Sequence, residues 1–229
     1  MHRAPFDRLG GSKLELNCNW GFNLKSLFTL KKCAFTLAEV LITLGIIGVV
    51  AAITLPTLIQ NHQKQTYVTA LKKAYSNLQN AYAQMALDED VTEWEQTYCF
   101  SCGFVYGSPG HEACCNRVKK YFNVVKSGEY GTEPLGLSSY TDASMYFYTN
   151  DGMYYVISTA LIVDVNGDKG PNKWGRDRFA FEVNWNKNKI EPYGLSNYQT
   201  YCTPEKLKQN EYNGLYCTAK VLIEGKMDY

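Results

Sequence analysis

The chain has 229 residues, of which 45% are hydrophobic, and its formal net charge is +1 at pH 7. Charges this closely balanced create no overall field that would draw the protein to nucleic acid or to an anionic surface. Mean hydropathy is slightly negative although one segment is strongly apolar. Most of the chain is therefore expected to lie outside a bilayer.

An uncharged run of twenty residues extends from Val40 to Ile59. As a helix it would span about 30 Å, the thickness of the hydrocarbon core of a bilayer. Lys31 and Lys32 precede the run. Basic residues stay on the cytoplasmic side, so the bulk of the chain is expected on the outer side. A secretory signal peptide is less favoured, because its apolar core is shorter and ends at small residues.

The carboxylate of Glu39 stands at the edge of this run, and a plain transmembrane anchor leaves it unexplained. A charge within a membrane helix costs about 2.5–3.5 kcal/mol, or more where it is deeply placed. A buried charge is tolerable when it is paired. The position of Glu39 therefore requires an interaction that offsets this cost.

The segment KKCAFTLAEVLITLGIIGVVAAITLP, residues 31–56, closely resembles the N-terminus of type IV pilins and type II secretion pseudopilins. The resemblance implies cleavage by a prepilin peptidase between Ala34 and Phe35, followed by N-methylation of Phe35. Ala34 stands where the family usually has glycine. Glu39 becomes the fifth residue of the mature chain, and Pro56 the twenty-second, where many pilins have a helix-kinking proline.

The resemblance also implies a function. In the family, the acid at the fifth position pairs with a freed α-amino group, its own or a neighbour's, and helps set the register between subunits. Glu39 is thus interpreted as an assembly residue of a non-catalytic filament subunit. The implied partners are other pilin or pseudopilin subunits, the prepilin peptidase/methyltransferase and the inner-membrane assembly platform. Type II secretion, type IV pili, competence and adhesion remain open, and the alternative is a single-pass, membrane-anchored extracytoplasmic binding module that does not assemble.

Three segments are predicted. Residues 1–34 form a leader that is removed, residues 35–59 a transmembrane and filament-core helix, and residues 60–229 a periplasmic or extracellular pilin-like domain. The protein is accordingly expected in the inner (cytoplasmic) membrane with its N-terminus cytoplasmic, from where it moves into a filament. The helix is predicted to run from Phe35 to about Leu87, because apolar residues continue at steps of three and four: Tyr67, Leu71, Ala74, Tyr75, Leu78, Ala81, Tyr82 and Met85.

Beyond this helix the pattern changes to strands. Residues 144–158 read as two aromatic strands joined by Asn150, Asp151 and Gly152, a strong hairpin signal. Residues 161–165 and 178–185 are predicted to be further strands, residues 111–128 a short helix ended by Gly128, and residues 129–142 a loop. The fold class is α+β. As the resemblance implies, it is pilin-like, with a long N-terminal helix, half transmembrane and half amphipathic, packed on a small antiparallel sheet with disulfide-stapled loops.

An acidic loop joins two of the predicted strands. Asp164, Asn166 and Asp168 follow the alternate spacing that lets a turn wrap around Ca²⁺, and Asp177 is placed to close the site. The loop is not an EF-hand, because glycine is at its fourth position and no Glu is at its twelfth. It resembles the β-loop of pseudopilins related to the major subunit, several of which bind Ca²⁺. A structural Ca²⁺ ion and a metal-free turn with Asx hydrogen bonds are both open, and no other cofactor is expected.

Six of the eight cysteines follow the apolar run, and an even number in an oxidising compartment favours disulfides. Cys202 is predicted to pair with Cys217. The other four are predicted to pair with one another in an order that the sequence does not assign. A zinc site is less favoured, because Cys114 and Cys115 are adjacent and chelate one metal ion poorly. Free thiols are the third alternative. The four cysteines are Cys99, Cys102, Cys114 and Cys115.

No catalytic motif is present. The chain contains no nucleophile-elbow signature and no phosphate-binding loop. Lys119, Lys120 and Lys126 are interpreted as a solvated face rather than as a nucleic-acid contact. Neither an enzymatic activity nor a nucleic-acid partner is expected.

Overall fold

The computed structural model describes residues 36–101, 109–128, 145–158 and 160–229. The chain divides into two compact units, Met1–Val49 and Val50–Tyr229. The predicted cleavage junction at Ala34 and Phe35, the side chains of Cys102 and Cys115 and the predicted loop at 129–142 lie outside what is described.

Helix α1 runs from Leu37 to Asp88 and continues through Pro56. It agrees with the helix predicted from the periodicity. Every member of the predicted apolar stripe is buried except Tyr75, which is half-buried. The buried residues of α1 are Tyr67, Val68, Leu71, Ala74, Leu78, Ala81, Tyr82, Met85 and Ala86.

Helix α1 ends in a Schellman motif. Asp90 adopts a left-handed conformation with φ 55°. The N–H of Val91 donates to the carbonyl of Ala86 at 3.0 Å, and the N–H of Asp90 donates to the carbonyl of Leu87 at 3.1 Å. These two bonds satisfy carbonyls that a helix end otherwise leaves unpaired. The motif ends the helix beside three acidic residues, Asp88, Glu89 and Asp90.

Six strands form one antiparallel sheet in the order of the sequence. The hairpin predicted around Asp151 joins the second and third strands. The strands are β1 Val124–Gly128, β2 Met145–Thr149, β3 Tyr154–Ile157, β4 Leu161–Asp164, β5 Arg178–Asn184 and β6 Lys189–Pro192.

The remaining helices are short. They are α2 Tyr98–Ser101, α3 Pro109–Lys119, α4 Tyr198–Tyr201, α5 Pro204–Gln209 and α6 Cys217–Glu224, with 3₁₀ turns at Trp94–Gln96, Trp185–Lys187 and Glu211–Tyr216. The prediction of one helix ending at Gly128 is wrong. Helix α3 ends at Lys119, and Val124–Gly128 is strand β1. Val124 and Val125 are β-branched, which favours a strand, and the segment pairs with β2 from Val124 to Gly128 with a register shift between Val124 and Lys126.

The main core lies between α1 and one face of the sheet. A row of residues crosses the strands on this face, with Phe147 opposite Tyr155, Tyr155 opposite Val163, and Val163 opposite Phe179. All four are fully buried. A row of this kind is the consequence of side chains alternating between the two faces of each strand. Phe147, Tyr155 and Phe179 all lie within segments that were predicted to be strands.

Candidate functional site

The N-terminal part of α1 exposes its apolar side chains. Thirteen large hydrophobic residues between Leu37 and Ile59 are exposed, from 43% at Val40 to 80% at Leu37. Helix α1 is long and apolar enough to cross a membrane, and none of its most apolar stretch is buried. Burying one such side chain gains about 1.5–3 kcal/mol relative to water. This surface therefore needs lipid or another apolar partner.

Thr36 and Glu39 form a capping box at the start of α1. The side chain of Glu39 accepts hydrogen bonds at Oε2 from the N–H and the hydroxyl of Thr36, both at 2.8 Å. The N–H of Glu39 donates to Thr36 Oγ1 at 3.2 Å. Two otherwise unpaired donors are satisfied in this way.

The capping box gives Glu39 a structural role that the sequence analysis missed. The T-x-x-E spacing before an apolar run is a known signal for it. An acid in the first turn is also favoured by the helix dipole. Glu39 would therefore be useful in any transmembrane helix beginning here, so an assembly role requires a test that separates the two.

The four residues predicted to bind Ca²⁺ lie in the segment between β4 and β5. Asp164 is buried, and its Oδ2 accepts from Arg178 Nε at 3.1 Å. Asp177 is also buried, and it accepts from the N–H groups of Asn172 and Lys173, both at 2.7 Å. Burial, and next the charge of Asp177, raise the pKa of Asp164 to about 7, although Arg178 acts in the opposite direction.

The other two candidates have different surroundings. Asn166 donates from Nδ2 to the hydroxyl of Tyr67 at 3.1 Å and to the carbonyl of Gly170 at 3.2 Å. Its Oδ1 is buried without a hydrogen-bond partner among the described residues. Asp168 is exposed and accepts from the hydroxyl of Tyr148. Across the described ranges, no three or more His, Cys, Asp or Glu side chains are grouped to hold a metal ion.

Asn172 closes the turn through its side-chain amide. Its Nδ2 donates to Asp164 Oδ2 at 3.3 Å and to the carbonyl of Lys169 at 3.1 Å. These bonds are of the kind expected for a metal-free turn.

Within the described residues, two disulfides connect the short helical segments. Cys202 is bonded to Cys217, which is the pair that the sequence analysis favoured. Cys99 is bonded to Cys114, which assigns part of the order that the sequence left open. Since all four sulfurs are in disulfides, these cysteines are not zinc ligands in this state.

Comparison with known protein families finds a match to the prokaryotic N-terminal methylation motif at residues 29–55. This motif is the signature of type IV pilins and pseudopilins. No curated protein and no solved structure matched the chain. The pilin resemblance is therefore confirmed for the N-terminal segment. The long helix, the antiparallel sheet and the two disulfides form the predicted pilin-like α+β fold.

The motif also bears on partners and location in general terms. Proteins with this pilin signature are structural subunits that are processed by a prepilin peptidase and assemble with other pilins. An apolar helix directly after the motif indicates a single-pass membrane anchor.

Proposed function

We propose that this protein is a structural, non-enzymatic subunit of a type IV pilus-like or type II secretion pseudopilus filament. Prepilin peptidase cuts between Ala34 and Phe35, and Phe35 is N-methylated. One observation carries the proposal: the methylation motif is continuous with a helix half whose large apolar side chains are all exposed. The mature chain consists of the core helix at 35–59 and the pilin-like domain at 60–229.

The exposed half of α1 can be buried both in the membrane and in the assembled filament. In the membrane its apolar side chains contact lipid. In a filament the same surface packs against copies of itself or related subunits, since it would otherwise face water. Gly45 and Gly48 lie in open space, with nothing within 4 Å of an added Cβ, and small residues of this kind let helices approach closely.

The proposed topology places the N-terminus in the cytoplasm and the domain at 60–229 in the periplasm or outside the cell. Lys31 and Lys32 precede the apolar run, which supports this orientation. Both disulfides follow the run, and disulfides persist in oxidising compartments. The proposed partners are other pilin or pseudopilin subunits, the prepilin peptidase/methyltransferase and the inner-membrane assembly platform.

In this proposal Glu39 has two tasks. It caps α1 through Oε2, and its negative charge pairs with the freed α-amino group of Phe35, its own or a neighbour's. Pro56 has no N–H to donate within α1, so one helical hydrogen bond is absent and the helix can bend there during assembly.

Three variants separate the two tasks of Glu39. Glu39→Gln retains an acceptor for the capping box but removes the charge, because Gln also serves at this position. Glu39→Ala removes both the cap and the charge, and Thr36→Ala removes the hydroxyl while retaining the charge. Each is compared with wild type and with Glu95→Gln, an exposed acid in the C-terminal unit. The readouts are the protein in sheared filaments and the protein in the membrane fraction.

The proposal expects Glu39→Gln and Glu39→Ala to insert into the membrane but to be lost from filaments. Thr36→Ala should be affected much less, and Glu95→Gln should match wild type. If Glu39→Gln assembles normally while Glu39→Ala and Thr36→Ala fail, Glu39 is only a cap. If no filament contains the wild-type protein, the alternative of an anchored extracytoplasmic binding module is favoured.

We also propose that the loop between β4 and β5 binds a structural Ca²⁺ ion through Asp164, Asn166, Asp168 and Asp177. The buried, unpartnered oxygen of Asn166 supports this proposal. Asp168 must exchange its bond with Tyr148 for the ion. No other cofactor is needed.

Melting temperature tests the calcium proposal. The full chain, purified in detergent, is melted with Ca²⁺, with Mg²⁺ and with a chelator. At a Ca²⁺ concentration about 100-fold above Kd, a gain of about 5–10 °C is expected. Asp164→Asn should lose the gain and Asp228→Asn should retain it. Equal melting temperatures with Ca²⁺ and with chelator would leave the loop as a metal-free turn.

A further inference from the structure

We propose that a basic pocket in the C-terminal unit binds the phosphate of an anionic lipid headgroup. The pocket has a volume of about 230 Å³. It brings together three cationic side chains and one acid with the rings of Trp174 and Tyr229. The charged residues are Lys64, Lys173, Arg176 and Glu211.

The side chain of Arg176 gives the strongest indication that the pocket binds an anion. Its Nε is buried and has no hydrogen-bond partner within the described part of the chain. A buried donor left unpaired is costly, and more so when it is charged. Phosphate is one of the two anionic groups, with carboxylate, whose paired oxygens match the guanidinium fork.

The other two cations add charge without closing the pocket. Lys64 Nζ donates to the carbonyl of Met227 at 3.0 Å, and an ammonium has two further hydrogens to give. The side chain of Lys173 is exposed. Glu211 alone among the lining residues is acidic, so an anion entering the pocket meets an excess of positive charge.

The position of Lys64 on α1 indicates that the phosphate belongs to a lipid. Lys64 follows Ile59, the last residue of the exposed apolar run, by five residues of the same helix. At 1.5 Å per residue this separation is about 7.5 Å, which corresponds to the depth of the headgroup layer. Trp and Tyr are also enriched at this level. This step rests on the proposed membrane anchoring of α1, whereas the charge of the pocket does not.

Lipid retention tests the inference. The full chain is extracted in mild detergent, mixed with phosphatidylglycerol or phosphatidylcholine, and the bound lipid is counted by native mass spectrometry. Wild type should retain phosphatidylglycerol in preference. Arg176→Gln and Lys173→Gln should each weaken this binding about fivefold, since each basic residue contributes about that factor at a membrane surface. Glu211→Gln should strengthen it, and Lys189→Gln, an exposed lysine of β6, should leave it unchanged.

A second arm of the experiment uses inorganic phosphate as competitor. The inference expects millimolar phosphate to displace little lipid. Equal retention of the two lipids, equal effects of Arg176→Gln and Lys189→Gln, or full displacement by phosphate would each overturn it. Melting curves of the variants check that the domain is folded. No filament is needed in this assay, so its failure and the failure of the filament proposal are read separately.

Discussion

At the scale of single residues, Glu39 is defined by two different interactions. The capping box with Thr36 is internal to α1 and is present in the structure. The pairing with an α-amino group belongs to the processed chain and to the proposal. Gln can replace Glu in a capping box but not in an ion pair. Glu39→Gln therefore distinguishes a residue that only caps the helix from one that also pairs with a cation during assembly.

Asp90 provides a prediction about stability. It occupies the left-handed position that ends α1, where glycine is the usual residue. Asp90→Gly is expected to raise the free energy of unfolding by about 0.5–1 kcal/mol, because the strain of φ 55° is removed. Asp90→Val should lower it by about 1–3 kcal/mol. Thermal melts of the purified chain check both, and a loss of stability in Asp90→Gly would contradict this account of the helix end.

Local residue patterns were readable from the sequence, and distant contacts were not. The spacing of Thr36 and Glu39 is local and predicts their bonds. The contact of Asn166 with Tyr67 joins residues 99 positions apart, and no pattern in the sequence reports it. The sequence could therefore name candidate calcium ligands without showing that Asn166 and Asp168 already have protein partners.

At the scale of elements, α1 has two halves with different neighbours. Its second half packs on the sheet through an apolar stripe of period 3.6, and this period made the helix predictable. The period did not predict the polar contact that closes the packing. Gln79 donates to the carbonyl of Asn188 at 3.2 Å and accepts from the N–H of Ile190 at 2.8 Å. One side chain of α1 thereby satisfies the backbone at the start of β6.

Substitution of Gln79 tests this bridge between α1 and β6. Gln79→Leu removes both partners and leaves the groups of Asn188 and Ile190 unpaired, so a loss of about 1–3 kcal/mol is expected. Gln84→Leu on the same helix is the matched control. Gln84 is exposed and bonds only within α1, to Asp88, so its loss should stay below about 0.5 kcal/mol. Unfolding in urea measures both, and equal losses would refute the role given to Gln79.

The segment at 111–128 shows where element prediction failed. Its first part is helical, and the spacing of the apolar residues that follow is compatible with a helix as well as with a strand. Strand β1 instead forms by pairing with β2, which begins 17 positions after β1 ends. Strand β6 and the helices after it were not predicted, because they are short. A short element carries too few residues to display a period.

At the scale of the molecule, the two disulfides each close a loop with a sequence separation of 15. In the chain-entropy model a loop of this size is worth about 3 kcal/mol. The double variant Cys202→Ala, Cys217→Ala is therefore expected to melt about 6–12 °C lower. Differential scanning calorimetry checks this value. Reductant added to wild type also opens Cys99–Cys114, so it should lower the melting temperature by at least as much. An unchanged melting temperature of the double variant would contradict the prediction.

The whole-molecule fold was predictable because its large features repeat along the chain. The exposed apolar run, the long stripe and the aromatic hairpin all extend over many residues. The pocket at Lys64 and Arg176 was not predictable, since it is assembled from α1, the loop before β5 and the C-terminal residues. Sites of that kind become visible only once the chain is folded.

The mature N-terminus distinguishes a processed pilin subunit from any other membrane-anchored protein. The protein is recovered from the membrane or filament fraction and its N-terminal peptide is sequenced by tandem mass spectrometry, beside a strain lacking the prepilin peptidase. The account predicts N-methyl-Phe35 as the first residue in the first strain and an uncleaved leader in the second. A chain that still begins upstream of Ala34 in both strains, or that begins beyond Pro56, would contradict it.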